Sequence, residues 1–173
     1  SIDGVSYQFV TTSEHTTNLS NGVLAFNNIP IYEGTYVTNR YTVDNQNLEQ
    51  KFTLNDENAD TTTLLVDVFE TSTSTSSTTF TLATDLTKVT QTSNVYYLQE
   101  SIDGKFEVYF GDGITGKALS DNNVVRLRYV VTNKTVANGA SSFTSSNAIS
   151  TVTDLSILTV DVASGGAERE AIQ

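Results

Sequence analysis

The stretch that most restricts the fold runs from Val95 to Lys117, VYYLQESIDGKFEVYFGDGITGK. Two alternating segments flank Asp103-Gly104, a dipeptide suited to a tight β-hairpin turn. Phe106, Val108 and Phe110 share one face of the second segment; Lys105, Glu107 and Tyr109 share the other. Directly afterwards Phe110-Gly111-Asp112-Gly113 and then Gly116 break the pattern with closely spaced glycines. A chain punctuated this way builds strands and reversals rather than helix.

The same pattern extends to both sides. Val5 to Thr12, Gly22 to Phe26, Thr35 to Val43 and Gln50 to Leu54 read as strands, with turns at Asn27-Asn28, Glu33-Gly34 and the acidic stretch Asn55 to Asp60. Thr63 to Glu70 is apolar on most of both faces, which predicts a central place in a sheet. Phe80 to Leu82, Val124 to Val131 and Leu155 to Val162 continue the set. In Val124 to Val131, Val125, Leu127, Tyr129 and Val131 are expected to face the core while Arg126 and Arg128 face out. Asp85 to Val89 is expected to form one helical turn. Short strands at a spacing of roughly 8–12 residues predict an all-β fold of sandwich-like antiparallel strands, or an open barrel.

Thr71 to Thr79, TSTSTSSTT, reads either as a flexible linker or binding loop, or as a solvated hairpin loop with Thr-rich strand ends; the second reading is favoured. The expected organisation is a β-rich lobe over 1–70, this loop over 71–79, and a β-rich lobe over 80–163 that is either separate from the first or one domain with it. The start of a truncated helix is expected over 164–173, with Ser164 as its cap, Gly165 and Gly166 as a hinge and Ala167 to Gln173 as helix. The sequence contains no Met, so Ser1 is expected not to be a natural start. With a helix cut after about two turns, this predicts a segment of a longer protein.

The formal charge of −11 excludes most non-specific phosphate binding and disfavours an anionic membrane surface. There is no Cys, hence no disulfide framework and no thiolate chemistry. No apolar run reaches the roughly 18 residues of a membrane-spanning helix, and no basic-then-apolar signal segment is present.

Four segments are candidate sites. Gly113, Gly116 and Lys117 superficially resemble a phosphate loop, but the spacing is incomplete and no Ser or Thr follows Lys117. The favoured reading is a tight reversal with positive φ at glycines and Asp112 bonded to local backbone N–H groups. Asp56, Asn58 and Asp60 open like a calcium loop, but Thr61 stands where Gly belongs and Asp67 where a bidentate Glu belongs, within an expected strand. His15 is the only His; its neighbours Ser13 and Glu14 do not make a triad by adjacency. Tyr96 and Tyr97 are adjacent in a strand, so one should face the core and the other solvent or a partner. These residues give no reason to expect a cofactor, a metal or an enzyme.

Several elements together resemble the baseplate wedge proteins of contractile-tailed (myovirus) phages, within the broader baseplate-J-like family. They are VYYLQE (Val95 to Glu100), Ile102 to Leu119 with Asp103, Gly104, Phe110, Gly111, Asp112, Gly113 and Gly116, then NVVRLRYVVT (Asn123 to Thr132), ANG with Asn138 and Gly139, and SGGAERE with Gly165, Gly166 and Glu168. In the family the Gly-Gly-x-Glu element joins a β-rich region to a helix that usually carries an Arg; here Arg169 falls between Glu168 and Glu170. Gly4 to Thr11, Tyr32-Glu33-Gly34, Tyr41 to Asp44 and the strand after Asp60-Thr61 follow the family order more loosely.

The resemblance implies a non-enzymatic virion structural protein. It would assemble wedges into a ring around the tail hub and rearrange when the sheath contracts. Its partners would be other copies of itself and neighbouring baseplate proteins, with no nucleic acid and no membrane. It would sit in the tail baseplate after assembly in the host cytoplasm. The alternative is a glycan- or receptor-binding β-sandwich from a phage fibre or adhesin, using an aromatic groove near Tyr96 or Tyr97.

Overall fold

A computed structural model describes residues 4–146, 152 and 155–168. The chain falls into two units. One joins the residues up to Gly34 with those from Asn133 onward, and the other is Thr35–Thr132. The Ser/Thr-rich stretch from Thr71 to Thr79 lies inside the second unit.

In the first unit, β1 (Phe9–Val10) and β2 (Tyr32–Glu33) pair antiparallel. The pairing ends with the Gly34 N–H donating to the Gln8 carbonyl at 3.0 Å. Glu33 then receives both the backbone and side-chain N–H of Asn133, at 2.9 and 2.6 Å. Phe9 meets Phe143 edge to face, 4.9 Å between centroids. The strand expected over Val5 to Thr12 thus shrinks to two residues.

No strand forms over Gly22 to Phe26. Asn21 and Gly22 instead take positive φ of 51° and 79° in a two-residue turn that bridges Ser20 to Val23. Leu155 to Val162 also forms no strand; Leu158, Val160 and Val162 are exposed. Alternation marks a face, but a strand also needs a partner edge, and among the described residues neither segment pairs in a ladder. Past Glu168, the helix expected from Ala167 to Gln173 lies outside the described residues.

The second unit is one seven-stranded sheet. Its strands are β3 (Thr35–Thr42), β4 (Phe52–Thr53), β5 (Ala59–Phe69), β6 (Ser77–Leu82), β7 (Val95–Glu100), β8 (Phe106–Phe110) and β9 (Val124–Val131), in the order β3-β9-β5-β6-β7-β8-β4. All neighbours are antiparallel except β6 and β7. The parallel pair needs a crossover, and the connection carries a 3-10 turn at Leu86–Lys88, capped by Asp85. The chain is therefore all-β apart from this turn among the described residues.

The two-sided apolarity of β5 is explained by its place between β9 and β6. Val66 and Val68 join Val125, Leu127 and Tyr129 in the core with Phe52, Leu54, Phe80, Tyr96 and Val108. The ends of the sheet fold back toward each other. Tyr41 on β3 packs 5.7 Å from Phe52 on β4 and donates its hydroxyl to the Thr53 carbonyl. Tyr129 on β9 is fully buried; its hydroxyl accepts the Asn55 N–H at 3.1 Å and donates to Asn39 Oδ1 at 2.7 Å. A single sheet thus packs one part of its inner face against another, as a sandwich does.

A bulge interrupts the β5–β9 register between Asp60 and Leu65. There the Val130 N–H donates to the buried Thr63 hydroxyl at 2.9 Å, and that hydroxyl donates to the Asp60 carbonyl at 2.8 Å. A side chain replaces the missing ladder partner, so the Val130 N–H is not orphaned.

Candidate functional site

The reversals singled out in the sequence are built by short-range hydrogen bonds. Between β7 and β8, the Ser101 N–H donates to the Lys105 carbonyl and the Gly104 N–H to the Ser101 carbonyl. Gly104 takes φ of 81°, and Asp103 Oδ1 accepts the Lys105 N–H at 3.2 Å. The hydrogen bond from the Lys105 backbone N–H holds the Asp103 carboxyl below its usual range.

After β8, the chain reverses again at Gly111 to Gly116. Asp112 Oδ1 accepts from the N–H groups of Thr115 and Ile114 and from the Thr115 hydroxyl, at 2.9, 3.0 and 3.1 Å. The Thr115 and Ile114 backbone bonds hold its carboxyl below the usual range. The donors of this loop therefore serve its own carboxylate, as a closed turn requires. A Cβ on Gly111 would come 2.5 Å from the Gly116 carbonyl carbon, so the two backbones meet where only glycine fits. Phe110, which leads into the turn, packs edge to face on Phe52 and Phe80 at 5.6 and 5.3 Å. The Tyr97 hydroxyl donates to the Thr115 carbonyl at 2.7 Å.

In the first unit, two motifs distant in sequence meet. Asn138 Oδ1 accepts the Gly166 N–H at 3.0 Å, and Asn138 Nδ2 donates to the Gly166 carbonyl at 2.9 Å. The Gly139 N–H donates to the Ala163 carbonyl, and the Ala163 N–H to the Ala140 carbonyl, at 2.7 and 2.8 Å. Glu168 accepts from Thr135 at 3.4 Å and pairs with Lys134 at 3.2 Å. A Cβ on Gly166 would fall on the Lys134 carbonyl oxygen and 2.9 Å from Asn138 Oδ1. Gly165 supplies the turn, with φ of 87°.

The remaining candidates are occupied locally. Asp56 accepts the Asn58 N–H, while Asp60 accepts the N–H and hydroxyl of Thr62. Among the described residues no cluster of His, Cys, Asp and Glu is arranged to hold a metal. Ser13 Oγ lies 3.2 Å from His15 Nε2 in an exposed loop. Tyr96 is buried in the core, and Tyr97 stacks on Tyr109 at 5.1 Å. No helix among the described residues is long and apolar enough to cross a membrane.

A charged group on the sheet face away from the core escaped the sequence reading. Asp67 on β5 is 3% exposed. Arg126 Nη2 and Arg128 Nη2 donate to its Oδ2 at 2.9 and 2.8 Å, and the Thr79 hydroxyl donates to its Oδ1 at 3.0 Å. Burial alone would raise the Asp67 carboxyl, but the bonds from Arg126, Thr79 and Arg128 outweigh it and hold the carboxyl below its usual range. Two guanidinium groups lie over the Phe69 ring, Arg40 at 5.0 Å and Arg126 at 4.8 Å from its centroid. The available signal was an Asp inside an apolar strand together with an Arg-x-Arg alternation in another.

The family described as bacteriophage baseplate wedge protein gp6, third domain, matches residues 37–142. That match takes in nearly all of the seven-stranded unit and the Asn138-Gly139 motif. The chain is also similar to baseplate wedge protein gp6 of Enterobacteria phage T4, 32% identical over 81 residues, covering 38% of this chain and 12% of that protein. The chain therefore matches only a small part of that relative's length, and it belongs to the gp6 third-domain family of baseplate wedge proteins.

Proposed function

We propose that this chain is a non-enzymatic, structural β-rich part of a phage tail baseplate wedge. In this reading it helps join wedges into a ring around the hub and takes part in their rearrangement when the sheath contracts. Its partners are other copies of itself and neighbouring baseplate proteins, not nucleic acid or membrane. It resides in the virion after assembly in the host cytoplasm.

The observation that carries this reading is the family match across residues 37–142. The geometry supports an architectural role for the turn residues. Asp103 and Asp112 each close a reversal with local bonds, and Asn138 holds Gly166 by its whole amide. Such devices fix where loops emerge from a rigid sheet, which a component meeting several neighbours requires. We further assign Gly104, Gly111, Gly113, Gly116, Gly139, Gly165 and Glu168 to this loop-setting role, with Phe110 anchoring the second reversal.

Mass spectrometry of purified contracted and extended tails tests the reading. Peptides of this chain are expected in both, in constant ratio to the other baseplate proteins. Their absence from purified tails would overturn it.

A further inference from the structure

The sequence has 20 Asp and Glu against nine Lys and Arg, so a local excess of cations runs against its composition. Three of the nine meet on the sheet face away from the core. Register places them there: Arg40 on β3 stands opposite Arg126 on β9, and Arg126 stands opposite Asp67 on β5. Arg128, two residues along, stands opposite Thr38 and Leu65.

One carboxylate answers three guanidinium groups. Asp67 binds Arg126 and Arg128. Arg40 is exposed, with no carboxylate partner among the described residues, and its guanidinium rests over Phe69. Arg128 Nε is buried without a hydrogen-bond partner. Like charges directly opposite each other weaken a sheet pair, and an orphaned buried donor adds to that cost. Asp67 itself is already saturated by two arginines and Thr79, so it has little left to offer Arg40. The guanidinium groups are spread across adjacent strands, whereas a single small anion would call for a closed pocket.

We propose that this face docks an acidic, extended segment of a neighbouring protein chain, whose carboxylates pair with Arg40 and with the exposed edges of Arg126 and Arg128. Arginine suits this task because its planar fork binds a carboxylate by two parallel hydrogen bonds. The strands hold the three forks in fixed register, so the surface is already organised before the partner arrives. Phe69 beneath Arg40 and Arg126 limits their freedom without neutralising them. The inference rests on the baseplate reading only in taking that neighbour to be a baseplate protein.

The test is nuclear magnetic resonance titration of the full chain with a hexaglutamate peptide, with a hexalysine peptide and a short oligothymidylate as comparisons. Shifts are expected for hexaglutamate at Arg40, Arg126 and Arg128 and their strand neighbours, weakening as salt is added. Arg40→Gln, at an exposed position, should lower the affinity about tenfold, the equivalent of losing one charged contact, while the thermal unfolding midpoint stays near its starting value. Shifts absent from these strands, an affinity unchanged by Arg40→Gln, or tighter binding of the oligothymidylate on this face would each overturn the proposal. Absence of the chain from tails would instead overturn the baseplate reading and leave the peptide result standing.

Discussion

Asn138 and Gly166 are joined through both halves of a side-chain amide, N–H to Oδ1 at 3.0 Å and Nδ2 to carbonyl at 2.9 Å. The pairing imitates a two-bond β-bridge with a side chain in place of one strand. It ties the turn after Lys134 to the Gly-Gly segment, and the bonds between Gly139, Ala163 and Ala140 extend it.

Asn138→Ala removes both bonds at once. The expected loss is about 1–2 kcal/mol of local stability. It is read as faster amide hydrogen exchange at Gly139, Ala163 and Gly166. Gly166→Ala should open the same contact by overlap with the Lys134 carbonyl, at a cost of about 1–3 kcal/mol. Gly165→Ala should be strained by its positive φ instead, because no atom stands within reach of the added Cβ.

Asp67→Asn leaves Arg126 and Arg128 facing a neutral amide. Because both guanidinium groups reach partly into solvent, the expected loss is about 2–3 kcal/mol, somewhat less than for a fully buried pair. Urea denaturation at neutral pH measures it. The pH dependence follows from the lowered carboxyl: the folded state holds Asp67 charged below its usual value of 3.8. Its contribution is complete above the unfolded carboxyl range and disappears as pH falls through the lower folded value. The wild-type advantage over Asp67→Asn should therefore shrink in that acid window.

Asp112 should titrate visibly through its neighbours. The amide proton shifts of Thr115 and Ile114 should follow its carboxyl, with a midpoint below the usual value of 3.8. As pH falls through that midpoint the turn loses its acceptor. In Asp112→Asn the titration should vanish from both amides while β8 stays paired with β7.

Tyr129→Phe removes one oxygen from a fully buried position. The Asn55 N–H and the Asn39 side chain both lose their partner. The expected destabilisation is about 1–3 kcal/mol, read from the urea midpoint with an unchanged slope. A larger slope change would mean that the fold-back of the sheet itself depends on this hydroxyl.

The parts of the fold written in local pattern were legible. The double-sided apolarity of Thr63 to Glu70 identified a central strand, and alternation in Val124 to Val131 assigned each side chain to its face. Adjacent tyrosines at 96 and 97 had to divide between core and surface, and they do. Pairing between distant segments was not legible. Asp67 meets Arg126 only because the β5–β9 register shifts at the bulge between Asp60 and Leu65, and nothing near Asp67 in sequence encodes that shift. The Leu155 to Val162 pattern misled for the converse reason: it alternates, but a strand is completed by an edge that the sequence does not specify. Asn138 and Gly166 drew notice as separate motifs, while their meeting depends on the path of the chain between them.

The most direct test of the central claim is electron microscopy with sedimentation of this protein, alone and mixed with the products of its neighbouring genes. The account predicts wedge-shaped complexes or rings that contain the seven-stranded unit. A stable monomer that ignores those neighbours would contradict it and shift weight to a glycan- or receptor-binding module.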